Sequence, residues 1–519
     1  MASKLPFLLG LILAASQGFS QTLLPVSNIN PNHLLYQQEN EKLHPAMQPM
    51  VLSKDLRDSA LIKDIPSKDW QGKNWLFRKI FKEHLVEIKS DDYEVNFDFL
   101  PDLWIGKQGE RSLWNNTREV AVEGFVGKQF AFSATISENQ GKYPLYYDEY
   151  VRTMKVVPGQ GHAKLYGSDG FDYSNSSANL SYTPSKYLNV QVGYGKNFVG
   201  NGYRSVLLSD FAFNYPYVKI TATLGAVQYS VMWAQFEDLY STEFDDETPY
   251  PKKYGVFHYL DWNVNKRLSL GLFENIMWEP RGGEWSYFIP ILFLRPAEYN
   301  NGSPDKVLLG LNGSYKVTKQ LVAYGQLAIN EFTLREVFSG KGYWANKIAG
   351  QIGLRSFDIL NVKNLNATVE FNSVRPYTYS ASKRIKNYGH YNAPLAHPFG
   401  ANFREYLAIV NYRYNRWEAR MQANFANYGL DENGLNYGKN IFLDYTTRVD
   451  DYGVHIGHGL TTDYLYGNAT LGFVLNPKNN LRLEAGYTYR REENSSFVHR
   501  DAFFTVGLRA SFKNLYQDF

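Results

Sequence analysis

From about Glu94 to the C-terminus, apolar and polar residues alternate in segment after segment, and the connections alternate between tight turns and long stretches. Alternation with a period of two puts one set of side chains on each face of a sheet. Roughly eighteen such segments of about ten residues each can be counted, the length and even number of a transmembrane β-barrel. Tight connections fall at Gly127-Lys128, Thr183–Lys186, Gly225-Ala226, Asn263–Lys266, Lys316–Lys319, Asp358–Val362, Tyr414-Asn415 and Asn476–Asn479. Longer stretches lie between them, near 106–116, 138–171, 196–215, 237–253, 277–305, 333–346, 374–402, 427–466 and 491–500. An up-and-down barrel in an outer membrane has this rhythm, because its periplasmic turns are short and its external loops long.

Individual strands carry the pattern plainly. In 480–490, Leu481, Leu483, Ala485, Tyr487 and Tyr489 alternate with Arg482, Glu484, Gly486, Thr488 and Arg490. In 416–425, Trp417, Ala419, Met421, Ala423 and Phe425 alternate with Arg416, Glu418, Arg420, Gln422 and Asn424. Segment 364–372 repeats it, with Leu365, Ala367, Val369 and Phe371 against Asn364, Asn366, Thr368, Glu370 and Asn372. One such strand also suits a half-buried soluble sheet. Strand number and loop alternation favour lipid outside and a polar lumen inside. Charges facing lipid are costly, so Arg416, Glu418, Arg420, Arg482, Glu484 and Arg509 are expected in the lumen, paired across strands. The final strand is expected over Ala502–Phe512, with Phe504, Val506, Leu508, Ala510 and Phe512 on one face. A closing aromatic of this kind is similar to the signal read by barrel-insertion machinery.

The N-terminus divides into two further parts. Residues 1–20 read as an export signal, with Lys4 as the basic region, Leu5–Ala15 as the apolar core and a cut after Ser20. Residues 21–92 read as a periplasmic or plug segment, with an amphipathic helix at Trp75–Ile88 under or inside the barrel. The barrel itself takes 93–519. No run approaches about 20 apolar residues, so a membrane is crossed as strands or not at all. With no cysteine the chain has neither a disulfide framework nor a lipid-accepting thiol. Its 54 basic and 51 acidic residues are too balanced to argue for nucleic acid. Its 40 tyrosines suit the aromatic girdles of a barrel.

Catalytic patterns are poor, and neither an enzyme nor a cofactor is expected. His455 and His458 form H-x-x-H without the glutamate of a metalloprotease motif. The acidic run Glu243, Asp245, Asp246 and Glu247 could hold a divalent cation, but a solvated loop tip is its plainer meaning. The most distinctive local sequence runs from Lys196 to Asp210. Its glycines and asparagines permit tight folding, and Tyr203, Arg204 and Asp210 offer a ring face, a cation and a carboxylate. Loops 374–402 and 427–466 add tyrosines, among them Tyr388 and Tyr391, beside cations such as Arg384 and Arg448. Tyrosine rings can cover the apolar faces of sugars while cations attract acidic ones.

The Asn197–Asp210 stretch, the Tyr146–Tyr150 to Pro158–Gly161 segment and the strand layout resemble Wzi-type capsule-assembly outer-membrane proteins. The closer likeness is to RemB-type proteins of gliding bacteria. The resemblance implies a plugged barrel acting as a surface lectin that holds exported polysaccharide. The long 374–402 and 427–466 loops depart from that pattern. Expected partners are surface polysaccharide, outer-membrane lipid, insertion machinery during assembly, and motility or export components. Candidate glycan-binding residues are Tyr203, Arg204, Asp210, Arg384, Tyr388 and Tyr391. The rival readings are a porin or transporter for small solutes and, further off, an outer-membrane hydrolase.

Overall fold

The computed structural model describes residues 21–24, 43–53, 65, 74–239, 249–281, 285–290, 293–302 and 305–519. The export signal at 1–20 and the acidic run at 243–247 lie outside the described residues. Eighteen antiparallel strands, from Tyr93–Gln108 to Val498–Ala510, pair in chain order. The ring closes where Phe504–Arg509 of the last strand pairs with Lys107–Asp102 of the first. Closure leaves no sheet edge in lipid, and every backbone donor and acceptor of the wall can be met by a neighbouring strand.

The wall is inside out compared with a soluble sheet. Ile105, Met421 and Ile352 are 70%, 64% and 63% exposed, while Glu370 and Asn372 are buried. Within Leu365–Val374 the alternate residues Asn366, Thr368, Glu370 and Asn372 face inward, and Val369 faces out. Trp417, Met421 and Phe425 are likewise exposed where Gln422 and Asn424 are buried. So much contiguous apolar surface has a physical home only against hydrocarbon. Exposed rings crowd the tight-turn ends of the strands: Tyr93, Phe130, Tyr187, Trp262, Tyr315 and Trp417. That is an interfacial girdle, and the short turns it borders mark the periplasmic rim. The chain is an outer-membrane β-barrel.

Several boundaries differ from the sequence reading. The stretches near 106–116 and 491–500 are not long loops: strands run to Gln108, from Arg111, to Glu493 and from Val498. The N-terminal helix spans only Trp75–Phe81, capped by Asn74, and buries none of its residues. Beyond it His84 bonds Asp98 at 2.5 Å, and the alternating Val86–Lys89 joins the sheet beside the first wall strand. Asn476 holds the helix end through the carbonyls of Lys79 and Glu83, which places it at the periplasmic rim. The last strand ends at Ala510, so Phe512 is not on the hull but turns inward against an internal cavity.

What fills the lumen comes mainly from the outer connections. Helix Leu145–Met154, the stretch 196–214 and the stretch 375–402 all fold inward and bury most of their apolar residues. Residues 511–519 enter from the periplasmic end to meet them. The main apolar core is therefore inside the barrel, with Val206, Leu207, Leu208 and Phe211 packed among Tyr379, Tyr388, Leu395 and Phe403.

Candidate functional site

The stretch 196–214 builds the centre of the lumen. Gly200 turns with φ 145°, where a side chain would run into Gln326 of the wall. Ser205 then closes the turn, its hydroxyl donating to the Val199 carbonyl at 2.6 Å and accepting from the N–H groups of Leu207 and Leu208. This places Arg204, 1% exposed, against the wall. Its guanidinium donates to Glu405 at 3.0 Å and to the Asp518 carboxylate at 2.9 Å. Tyr203 and Tyr516 flank it, with ring centroids 5.1 and 5.4 Å away. Glu405 is further satisfied by Asn372, Asn424 and His397, the last at 2.7 Å. The N–H groups of Tyr203 and Arg204 both donate to Glu370. Asp210 accepts from Tyr516 at 2.6 Å and from Asn514 at 2.7 Å.

Burial opposes the charge of Arg204, but the two carboxylates prevail and hold its pKa above the ordinary value. Burial pushes His397 down to about 4 despite the opposing charge of Glu405. Burial also lowers His390 to about 3; the ring accepts from the Glu237 N–H and donates to the Asn214 carbonyl. Lys196, buried while donating to the Asp210 carbonyl, falls to about 8. These groups hold the plug together in the charge states that its geometry needs.

Tyr203, Arg204 and Asp210 thus come together, but as a buried grip on residues 514–518 and not as a face open to an external sugar. Tyr388 is also buried, its hydroxyl donating to the Leu207 carbonyl at 2.6 Å beside the stacked ring of Tyr379. Arg384 and Tyr391 remain partly exposed: Arg384 forks onto Asp238, and Tyr391 packs on Phe213 and Tyr250. The sequence offered no sign of Asp518 or Glu405 as partners, since alternation says which face a residue takes but not what lies opposite.

The expected lumen charges divide five to one. Arg482 and Arg509 share Glu484 at 2.7 and 2.8 Å, and Arg509 also reaches Asp102 at 2.8 Å. Arg413 holds Glu418 at 2.6 Å. Glu418, Arg420, Arg482, Glu484 and Arg509 all border one cavity of about 320 Å³. Arg416 does not join them: it leaves the wall at the tight turn and donates to the carbonyls of Val474 and Leu475.

At the outer mouth, the connections 331–347 and 430–460 bring together rings and cations of which the sequence singles out Arg448 and the pair His455 and His458. Trp344 lies 5.1 Å from Tyr445, and Tyr343 lies 5.3 Å from the exposed Tyr452. Arg448 sits 4.0 Å over Trp344, and Lys347 sits 3.5 Å over Tyr445. His455 and His458 stack nearby at 5.2 Å, and no cluster of three metal-ligating side chains occurs among the described residues.

Similarity to known proteins runs through structure alone. No family model matches the chain, and no curated protein matches it by sequence. Wzi of Escherichia coli, an outer-membrane protein involved in group 1 capsule assembly and described as a carbohydrate-binding β-barrel, superposes with a TM-score of 0.52 at 15% identity. That match covers 94% of this chain and 98% of Wzi. OprD of Pseudomonas aeruginosa matches at TM-score 0.42 and 11% identity, over 80% of this chain and 94% of its own. OccAB2 of Acinetobacter baumannii matches at 0.43 and 10%, over 81% and 98%. At such identities the likeness speaks for the fold, a Wzi-like barrel.

Proposed function

We propose that this barrel binds and organises surface polysaccharide at its outer mouth and performs no catalysis. The observation that carries the reading is the filled lumen. Barrels of 16–18 strands commonly leave an aqueous channel, yet here two inward stretches, a helix and residues 511–519 occupy it with apolar packing and ion-paired buried charge. An 18-strand wall spent on a closed lumen favours holding something at the surface over passing solutes. Wzi, the barrel of similar fold, is described as binding carbohydrate. The cluster of Trp344, Tyr445 and Tyr452 supplies the matching chemistry, since rings cover sugar faces, and Arg448, held by Asp451 at 2.6 Å, braces Trp344 from one side. Several weak contacts along one polymer would act together through effective concentration. Capsule or exopolysaccharide attachment is the role we assign, and coupling of that polymer to gliding, as in RemB-type proteins, is its extension.

The test is retention of native surface polysaccharide by immobilised protein. Wild type is expected to retain it, and Trp344→Ala with Arg448→Gln to lose at least tenfold in apparent affinity. Equal retention by both would reject the assigned patch, and no retention by wild type would reject the function.

A further inference from the structure

Beside residues 511–518 lies the cavity of about 320 Å³, bordered by the strands Trp417–Leu430, Leu481–Glu493 and Val498–Ala510. Arg413 and Glu418 stand at its end nearest the Tyr414–Trp417 turn, and Tyr143, Tyr146 and Tyr147 stand at the other. It therefore extends from the periplasmic rim into the barrel, away from the outer-mouth patch. We propose that it is a binding site for an acidic sugar unit, with the carboxylate on Arg420 and the sugar ring against the tyrosines.

Charge accounting singles out Arg420. Each other cation bordering the cavity has a carboxylate of its own: Arg413 has Glu418, Arg482 has Glu484, Arg509 has Glu484 and Asp102, and Lys513 has Glu119. Among the described residues no carboxylate lies within 4.0 Å of Arg420. Its guanidinium donates to Gln422 at 2.9 Å and rests 5.5 Å from the Tyr203 ring. The carboxylate of Asp518, which bears on it electrostatically, is engaged by Arg204, Gln422 and Asn424. A guanidinium has five N–H donors in a planar fork, so Arg420 keeps most of them for a ligand carboxylate. A second donor, Nη1 of Arg482, is buried at the same cavity without a hydrogen-bond acceptor.

The rest of the lining gives the ligand its class. A bare anion needs no aromatic floor, yet Tyr143, Tyr146, Tyr147 and Trp104 border the space. Asn468, whose N–H groups donate to Thr488 and the Tyr487 carbonyl, keeps its amide oxygen to accept from a sugar hydroxyl. The volume sits at the small end of ligand pockets, which span about 300–1,000 Å³, so one or two sugar rings fit and a folded polymer does not. A carboxylate-bearing sugar uses cation, amide and rings at once.

Calorimetry on the purified full-length barrel in detergent tests this with D-glucuronate, D-glucose and acetate as probes. Wild type is expected to bind glucuronate in preference to both others, and Arg420→Gln to weaken it roughly 10- to 100-fold, the loss of one charge-assisted pair. Thr470→Phe, which puts a ring into the cavity from the strand position opposite Arg420, is expected to abolish binding and serves where Arg420→Gln does not fold. Absence of glucuronate binding, equal binding of glucose, or equal binding of acetate would each overturn the proposal, as would undiminished binding in both variants. The site is independent of the surface reading. Polymer retention without glucuronate binding leaves the outer-mouth function standing, and the converse leaves the cavity.

Discussion

Arg204 is held between two carboxylates and two tyrosine rings, with no water-exposed alternative for any of the three charges. Such a group is strongly coupled to its partners, because removing the cation leaves two carboxylates buried and unmatched. Breaking a buried pair on one side costs about 3–5 kcal/mol. Arg204→Ala should therefore lower barrel stability by about that much, read as an earlier urea midpoint in detergent. Asp518→Asn should cost less, since Glu405 still matches Arg204; an equal loss in both would contradict the shared grip. The sequence singled out Tyr203, Arg204 and Asp210 because cation, ring and carboxylate crowd one glycine-rich stretch. Their partners were invisible: Asp518 is 314 residues away and follows the last strand, where no periodicity applies.

Single strands follow the same logic through the two solvents they separate. In Leu460–Asn476, Leu471 faces out and is exposed, while Asn468 borders the internal cavity. An arginine on the lipid face near the bilayer midplane costs about 2–4 kcal/mol, whereas lumen positions are far more tolerant. Leu471→Arg, two positions in from the girdle row of Trp417, should thus deplete folded barrel by up to that amount, and Asn468→Arg should leave folding nearly intact, both scored by heat-modifiable gel mobility. Equal tolerance would mean that the outward face does not meet lipid. Period two made these faces legible, because only the local pleat decides them. Boundaries were less so: Trp75–Ile88 has helical spacing throughout, yet Val86–Lys89 also alternates, and pairing with the first wall strand won. Where a strand continues past a tight turn, as at Gln108–Arg111, composition alone cannot tell ladder from loop.

At the scale of the whole molecule, the wall and the plug are separable structures. All eighteen wall strands are joined by their own ladders, and the stretch 375–402 contributes none of them. That stretch instead clamps its neighbour: Tyr379 and Tyr388 hold the carbonyls of Val206 and Leu207, and Ser209 donates to Ala396 and, through its N–H, to Leu395. Replacing 377–400 with a short Gly-Ser turn should spare the ladder between Leu365–Val374 and Phe403–Tyr414 while emptying the outer half of the lumen and loosening 196–214. An 18-strand wall without its filling should behave as a water-filled pore. In planar bilayers the wild type is expected to be silent and the replacement to carry steady current, at least tenfold above baseline. Steady large current through the wild type would instead make solute passage the primary role, since a lumen packed as this one is must move its plug to conduct.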